Sequence, residues 1–501
     1  MNIEILSSSL EFIKPEIALS LTLVLIVVID LIMGKNKKLL PYVTIVGLLI
    51  TGYFVAEQFG MKAFAFVTPP SSSGMVSVDA FGAFFKSIVV LSSLFVVLFS
   101  LTSSEIIGCE DRHGEYYTLI LGMALGMFLM SSATDLILIY LSVELLSLSS
   151  YVLAGFIKTV DRSSEASLKY IIYGGVASGV MLFGISIIFG LTGNTNLFLI
   201  NAILQAEQLG GFTFIFAGIL VLGGIGFKVS IAPFHFWTPD VYEGAPITIT
   251  AFLSVASKAA GFALLIRFIK ITFLETITAD GYWLLLNVID WQSILVMLAI
   301  LTMSIGNFTA LWQDNLKRML AYSSIAHAGY LLLAVAVLSN EGLVAVLFYF
   351  GVYLFMNLGA FFVVMLIANK IGSEDIDDYK GLGSSIPFLG VALAIFLLAL
   401  AGLPPTAGFI GKLYIFIALV DANMIVAAVI ALLNTVVAYY YYVRVLRNLY
   451  LVKTETKKEV LKFSPANIVI VLLLLIPVFI FGIYFTPLVN LAKASISMIG
   501  F

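Results

Sequence analysis

Three observations predict an all-α polytopic membrane protein. Hydrophobic residues make up 61% of the chain, charged residues only 11%, and the mean hydropathy is +1.10. Soluble domains are about half apolar and about a quarter charged. Apolar runs of roughly 20 residues, the length that crosses a ~30 Å hydrocarbon core as a helix, recur about fourteen times. Other classes are excluded on the same ground. A net charge of −3 gives no reason to expect nucleic acid, and the lone Cys109 rules out a disulfide framework or a cysteine-ligated iron–sulfur cluster within the chain.

The spans follow in order. The first begins near residue 16. Met1 to Glu16 holds three acidic residues, one lysine and no basic stretch leading to a small-residue cleavage site, so this span is expected to stay. "GKNKKLLP" leads to the second, near 40. The third starts near 79, with Lys86 seven residues in, close enough to an end to snorkel to the surface as an interfacial anchor. Spans four and five, near 116 and 135, are joined by the tight "SSATD". The loop "IKTVDRSSEASLK" leads to the sixth, near 167, with Glu165 and Lys169 as an i,i+4 pair at its mouth. That spacing suits a surface ion pair, and the two are also candidates for admitting protons. The seventh, near 212, is interrupted at Pro233, which lacks a backbone donor, and is expected to end at Pro239. Spans eight, nine and ten begin near 245, 291 and 318. "SNEG" precedes the eleventh, near 342, and "NKIGSEDIDDYKGLGSS" the twelfth, near 387, which "LAGLPPTAGF" interrupts. The thirteenth begins near 421, and "RVLRNLYLVKTETKKEVLKFSP" separates it from the fourteenth, near 467. No segment outside the membrane is large enough to fold alone.

Positive charge sets the orientation, since basic loops stay cytoplasmic. Of the 26 basic residues, seventeen fall on one side and five (Lys14, Lys62, Arg267, Lys270 and Lys493) on the other. An even span count then puts both termini outside. The remaining four, Lys86, Lys228, Lys258 and Lys412, lie within spans. An ionisable group at bilayer depth costs a few kcal/mol at the least, which makes it a functional-site hypothesis.

Glu144, nine residues after Asp135, is placed about 13 Å deep and needs a cation, a hydrogen-bond donor or a proton. Ser142 or Ser147 could also cap it as a purely structural carboxylate. Lys228 precedes the break at Pro233, and His235 follows it. Broken helices at membrane depth are where transporters hold ions. A histidine there suits a proton relay, or it holds the broken backbone together as a neutral ring. The second broken span, with Gly402, Pro404, Pro405 and Gly408, precedes Lys412. Glu144 to Lys228 and His327 to Lys412 span 84 and 85 residues. This spacing predicts two five-helix repeats, spans four to eight and nine to thirteen, with helices seven and twelve broken. The odd helix number inverts the second repeat. The expected divisions are 1–110 for the first three spans, 111–275 and 276–450 for the repeats, and 451–501 for a basic loop and the last span. Lys258, on a helix of small residues, has no carboxylate at i±3 or i±4 and can carry a proton by losing charge when desolvated.

The motifs "YLSVELLSLSSYVLAGF", "EASLKYIIYG", "GFKVSIAPFHFWTPDVYEGAP", "NLKRMLAYSSIAHAGYLL" and "LAGLPPTAGFIGKLYIF" resemble the antiporter-like membrane subunits of proton-pumping NADH:quinone oxidoreductase, respiratory complex I. The resemblance covers nearly the whole chain. Within the family, "WTPDVYEGAP", a lysine rather than a glutamate at 412, and an expected stop after fourteen spans without a long lateral helix favour the branch that includes mitochondrial NADH dehydrogenase subunit 2. The resemblance implies a glutamate–lysine ion pair at Glu144 and Lys228, a central bridging lysine at Lys258, a terminal lysine at Lys412, and His235 and His327 along the same axis. While Glu144 is close it stabilises protonated Lys228; when it swings away the proton passes on. A charge pair at ~4 Å in an effective dielectric near 20 is worth about 4 kcal/mol, enough to switch occupancy. The resemblance also implies an inner-membrane location, no cofactor in this chain, and flavin, iron–sulfur clusters and quinone in partner subunits. Another antiporter-like subunit and small membrane subunits are the expected neighbours. The alternatives are a subunit of a multisubunit sodium/proton antiporter and a scaffold with structural charges.

Overall fold

Inside hydrocarbon a helix satisfies every backbone N–H and C=O within its own segment, and the apolar runs fold accordingly. The computed structural model describes residues 3–34, 37–67, 73–207, 211–452 and 460–500. Lys35, Lys453, Lys457 and Lys458, four of the loop lysines on the basic side, lie outside the described residues.

The chain begins with helices α1 (Ile3–Phe12), α2 (Lys14–Met33) and α3 (Leu40–Gln58). A short antiparallel hairpin follows, β1 (Ala63–Val67) and β2 (Gly74–Val78), with Ala63 opposite Val78. Next is α4 (Ala80–Ser100), whose first turn is capped by Asp79 accepting from the Gly82 N–H at 2.8 Å.

The short α5 (Ser104–Ile107) leads to α6 (His113–Ser132), α7 (Leu136–Ala154), α8 (Asp161–Thr192), α9 (Leu197–Glu207) and α10 (Phe212–Val229). Asp135 caps α7 through the Ile137 and Leu138 N–H groups. The span of α10 stops at Ser230, which takes a left-handed conformation with φ 63°. It resumes as α11 (Trp237–Gly244). Pro233 lies in the non-helical link as expected, but Pro239 does not end the span. It sits in the first turn of α11, where the missing N–H has no intrahelical partner to lose. Residues Ile247–Phe273 then form one continuous helical segment, with α12 (Ile247–Phe252), a π turn over Leu253–Ser257 and α13 (Lys258–Phe273). A second hairpin, β3 (Leu274–Ile277) and β4 (Trp283–Leu285), closes this half.

The remaining helices are α14 (Trp291–Ala310), α15 (Leu316–Ala336), α16 (Asn340–Ile371), α17 (Pro387–Ala401), α18 (Ala407–Asp421), α19 (Ile425–Tyr450), α20 (Pro465–Ile483) and α21 (Thr486–Ser495). Gly402, at φ 86°, ends α17 in a region of backbone space that a side chain disfavours, and Pro404 and Pro405 fill the link to α18.

Among the described residues, twelve helices are long and apolar enough to cross a membrane. The other two expected spans are α6 and the broken pair α17 and α18, each half of which has 15 residues. At 32 residues each, α8 and α16 are about 48 Å long and exceed a bilayer core unless tilted. The interior is built on α13, α15 and α16, while α2, α8 and α20 turn most of their surface outward. Helices α14 and α15 touch backbone to backbone: a Cβ on Gly306 would lie 2.6 Å from the Ala326 nitrogen.

Three charges depart from expectation. Lys86 does not snorkel; it is 1% exposed, paired with Glu16 at 2.6 Å and bonded to Gln58 Oε1 at 2.9 Å. The reason is that α2 and α3 cover α4 with polar groups at the same level. Arg267 and Lys270, counted above as loop charges, are buried in α13. Arg267 meets Asp79 there, and Lys270 lies 4.7 Å from the Trp283 ring centroid.

Candidate functional site

The two breaks and the helices against them hold the buried lysines. Lys228 lies in the last turn of α10, where a cation suits the negative end of the helix dipole. The link after it is pinned on three sides. The Trp237 indole donates to the Phe227 carbonyl at 2.9 Å, Thr238 donates to Ser230 Oγ at 2.8 Å, and the Ala232 N–H donates to Thr302 Oγ1 of α14 at 2.9 Å. Lys412 lies one turn into α18 and donates to the Ala401 carbonyl at 2.8 Å. That carbonyl ends α17 and has no intrahelical donor, so the lysine satisfies an orphan left by the break. The two lysines are therefore placed differently: Lys228 precedes its break and Lys412 follows its own.

Lys258 opens α13 directly after the π turn and donates to the Ser324 carbonyl of α15 at 2.8 Å. His327, also on α15, bonds through Nδ1 to the Tyr349 hydroxyl at 2.7 Å and through Nε2 to the Tyr442 hydroxyl at 3.2 Å. His327 lies one turn after Ser324, whose carbonyl holds Lys258, and its ring is 6.2 Å from that of Tyr330, over which Lys412 lies. His235 is buried in the first break, and its Nδ1 has no hydrogen-bond partner among the described residues. The structure thus brings Lys258, His327 and Lys412 into one neighbourhood.

Glu144 and Lys228 are arranged otherwise. Among the described residues no ion pair within 4.0 Å joins them, although the charge of Glu144 reaches Lys228. Glu144 is half-buried on α7 and accepts a hydrogen bond from Ser178 of α8. Lys228 is 1% exposed, and its Nζ has no hydrogen-bond partner among the described residues. Three aromatic rings surround that ammonium group instead, those of Tyr151, Tyr170 and Phe227.

At the mouth of α8, Glu165 and Lys169 do pair, at 2.7 Å, but within a larger network. Asp240 of α11 takes Lys169 and Arg318, each at 2.6 Å, and Arg318 also reaches Glu243 at 2.8 Å. These groups line a cavity of about 290 Å³. Burial by itself would raise Asp240, but hydrogen bonds from Lys169 and Arg318 outweigh it and hold the carboxyl below the usual range.

Sequence reasoning missed Asp240, Glu243 and Arg318, whose partners come from different helices. It also missed the tyrosines around His327 and Lys412. Tyr330 lies beneath the Lys412 ammonium, 5.0 Å from Nζ to ring centroid, and receives a bond from Thr435 at 3.1 Å. Tyr441 donates to Asn307 at 3.1 Å, and Tyr442 meets Ser323. A signal was present, since "AYYYYVR" puts four tyrosines in an apolar span. Among the described residues no cluster of three or more His, Cys, Asp or Glu could hold a metal ion.

The family described as NADH:quinone oxidoreductase/Mrp antiporter, TM matches residues 133–438. The NADH-quinone oxidoreductase subunit N 2 of Chloroherpeton thalassium is 49% identical over 493 residues, covering 97% of this chain and 94% of the relative. Among solved structures, a chain of respiratory complex I from Thermus thermophilus with bound aureothin is 29% identical with a TM-score of 0.77, covering 96% of this chain and 99% of that one. A chain of the Mrp complex from a Dietzia species has a TM-score of 0.80 at 20% identity, covering 96% of each chain. The last is a likeness of fold alone.

Proposed function

Because this chain belongs to the NADH:quinone oxidoreductase/Mrp antiporter membrane family, we propose that it serves as subunit N of a proton-translocating NADH:quinone oxidoreductase and passes protons along Glu144, Lys228, Lys258, His327 and Lys412, with His235 beside them. The observation that carries this reading is the series of buried lysines that have no carboxylate in ion-pair contact among the described residues. Among the described residues Lys228 has no hydrogen bond, and Lys258 and Lys412 each bond only a backbone carbonyl. A permanently charged structural lysine is normally buried with a counter-ion, as Lys86 is with Glu16. A lysine that holds only a carbonyl can be neutral or charged, which is what a carrier needs.

In this reading Glu144 approaches Lys228 and stabilises its ammonium form. On retreat to Ser178 it leaves the charge to weaker holders than a carboxylate in a low dielectric, and the proton moves on to Lys258. His327, within reach of both Lys258 and Lys412, carries it across the join between the halves. Glu165, Lys169 and the Asp240 network form the intake on the cytoplasmic side. The chain divides at 1–110, 111–275, 276–450 and 451–501, with the middle segments as inverted repeats and both termini outside. Flavin, iron–sulfur clusters and quinone belong to partner subunits, which supply the energy. The relative with 49% identity bears a quinone oxidoreductase name, which favours this reading over a sodium/proton antiporter.

Lys228→Ala in the assembled complex tests the proposal. The expected result is loss of proton pumping with the complex still assembled; normal pumping would remove Lys228 from the path.

A further inference from the structure

The ring cluster around Lys228 has an organisation that an ion-pair mechanism does not require. The Nζ atom lies 5.6 Å from the Tyr151 ring centroid, 5.4 Å from that of Tyr170 and 5.3 Å from that of Phe227. Each is within the ~6 Å over which a ring face attracts a cation. The rings come from three elements, α7, α8 and α10, and they hold one another in place. Tyr151 meets Tyr170 edge to face at 4.8 Å. Tyr170 stacks flat on Trp237 at 4.3 Å, and Trp237 in turn is bonded to the carbonyl of Phe227. Gly174 makes room for Tyr151: a Cβ there would lie 1.8 Å from the tyrosine hydroxyl. All four aromatic residues are buried.

Tyr151 also stands on the helix that carries Glu144. Seven residues separate them, which places both on nearly the same face of α7, about 10 Å apart along the axis. Lys228 therefore faces two rival holders on one helix, a carboxylate and a ring. The titratable groups that face it are Glu144 and Tyr151 from α7 and Tyr170 from α8.

We propose that Tyr151, Tyr170 and Phe227 form a second holding site for the Lys228 ammonium group, so that the lysine alternates between the Glu144 carboxylate and an aromatic cage. This rests on the carrier role of Lys228 given above. With Glu144 on Ser178 and Lys228 in the cage, each partner is satisfied apart from the other. A ring attracts a cation and not a neutral amine, so the cage keeps the proton on Lys228 after the carboxylate has left. It is weaker than a carboxylate, so it also lets the proton go. Tyr151 and Tyr170 are positioning residues in this scheme, and Trp237 couples the cage to the backbone just after the break.

Proton pumping by the reconstituted complex in vesicles, read across pH, tests this. Tyr151→Phe and Tyr170→Phe keep the ring faces and should pump faster than leucine variants at the same positions. Tyr151→Leu and Tyr170→Leu should lower pumping roughly three- to tenfold. Because leucine also changes packing, phenylalanine analogues carrying one, two or three fluorines at position 151 separate the two effects. Fluorine withdraws charge from the ring face at nearly constant size, so pumping should fall and the pH profile shift stepwise with fluorine number. A flat series, with Lys228→Ala inactive, overturns the cage alone; normal pumping by Lys228→Ala overturns both the cage and the carrier role.

Discussion

Arg267 and Asp79 are fully buried and meet in a two-pronged pair, Nη1 to Oδ2 at 2.9 Å and Nη2 to Oδ1 at 2.8 Å. Arg267 Nε also bonds the Ser131 carbonyl, and Asp79 accepts from Gly82 and Ile499, so each carboxylate oxygen takes two bonds and all three guanidinium nitrogens donate. A two-pronged pair of this kind holds α4 to α13 and keeps both groups charged, which suits a staple and not a proton carrier. Asp79→Asn should destabilise the assembled subunit by about 3–5 kcal/mol, because it strands a buried guanidinium. Thermal denaturation in detergent measures this, and adding Arg267→Met should recover part of the loss. Asp240 behaves differently because it is partly open to solvent. Its carboxyl is held below the ordinary range, so the stability it contributes is complete above the unfolded value of about 3.9 and is lost as pH falls through the lower folded value. Asp240→Asn should therefore flatten the acid limb of a stability–pH curve while leaving stability near pH 8 lower than wild type. An unchanged acid limb would show that the Lys169 and Arg318 contacts do not hold this carboxylate in solution.

At the scale of elements, the π turn over Leu253–Ser257 decides where Lys258 points. A π turn accommodates one extra residue in an α-helix, so everything after it stands about 100° from where a regular helix of the same sequence would put it. The rotation aims Lys258 at the Ser324 carbonyl, next to the helix turn that carries His327. Deleting Ala256 removes the residue that the turn accommodates, so it should restore a regular helix and leave Lys258 facing α15. The expected phenotype is an assembled complex that reduces quinone and still pumps; poor pumping would mean that the turn does more than aim Lys258. Nothing in "ITITAFLSVASKAAGF" marks this turn, because it contains neither proline nor an unusual glycine. The breaks at Pro233 and Pro404 were legible for the opposite reason: a missing donor acts on its own backbone whatever the surroundings.

At the scale of the molecule, the wholly buried segment Ile247–Phe273 and its neighbours α15 and α16 form a polar-cored centre, and α2, α8 and α20 present apolar surface outward. Both broken spans place a lysine at the break, and the turn of α15 that carries His327 holds Lys258 through the Ser324 carbonyl. The proposed orientation puts Lys37, Lys158 and Lys380 on the cytoplasmic side and Lys493 outside. A reporter fused after Phe501 should read the outer compartment, and a cysteine placed at Lys380 should react with membrane-impermeant reagents only from the inside. Opposite labelling would invert the path from Glu165 to Lys412.

Composition, the order of the spans, the two breaks and the burial of Lys228, Lys258 and Lys412 were determined by the sequence itself, whereas the burial of Lys86, Arg267 and Lys270 was not. The former depend on transfer free energy and on the local backbone chemistry of proline and glycine, which are read along one dimension. The partner of each charge was decided only by tertiary structure. Lys86 found Glu16, Arg267 found Asp79 across 188 positions, and Lys228 found three rings rather than its expected carboxylate. Which faces of two helices meet depends on the packing of every other helix, and so whether a buried cation is staple or carrier follows from the assembled fold.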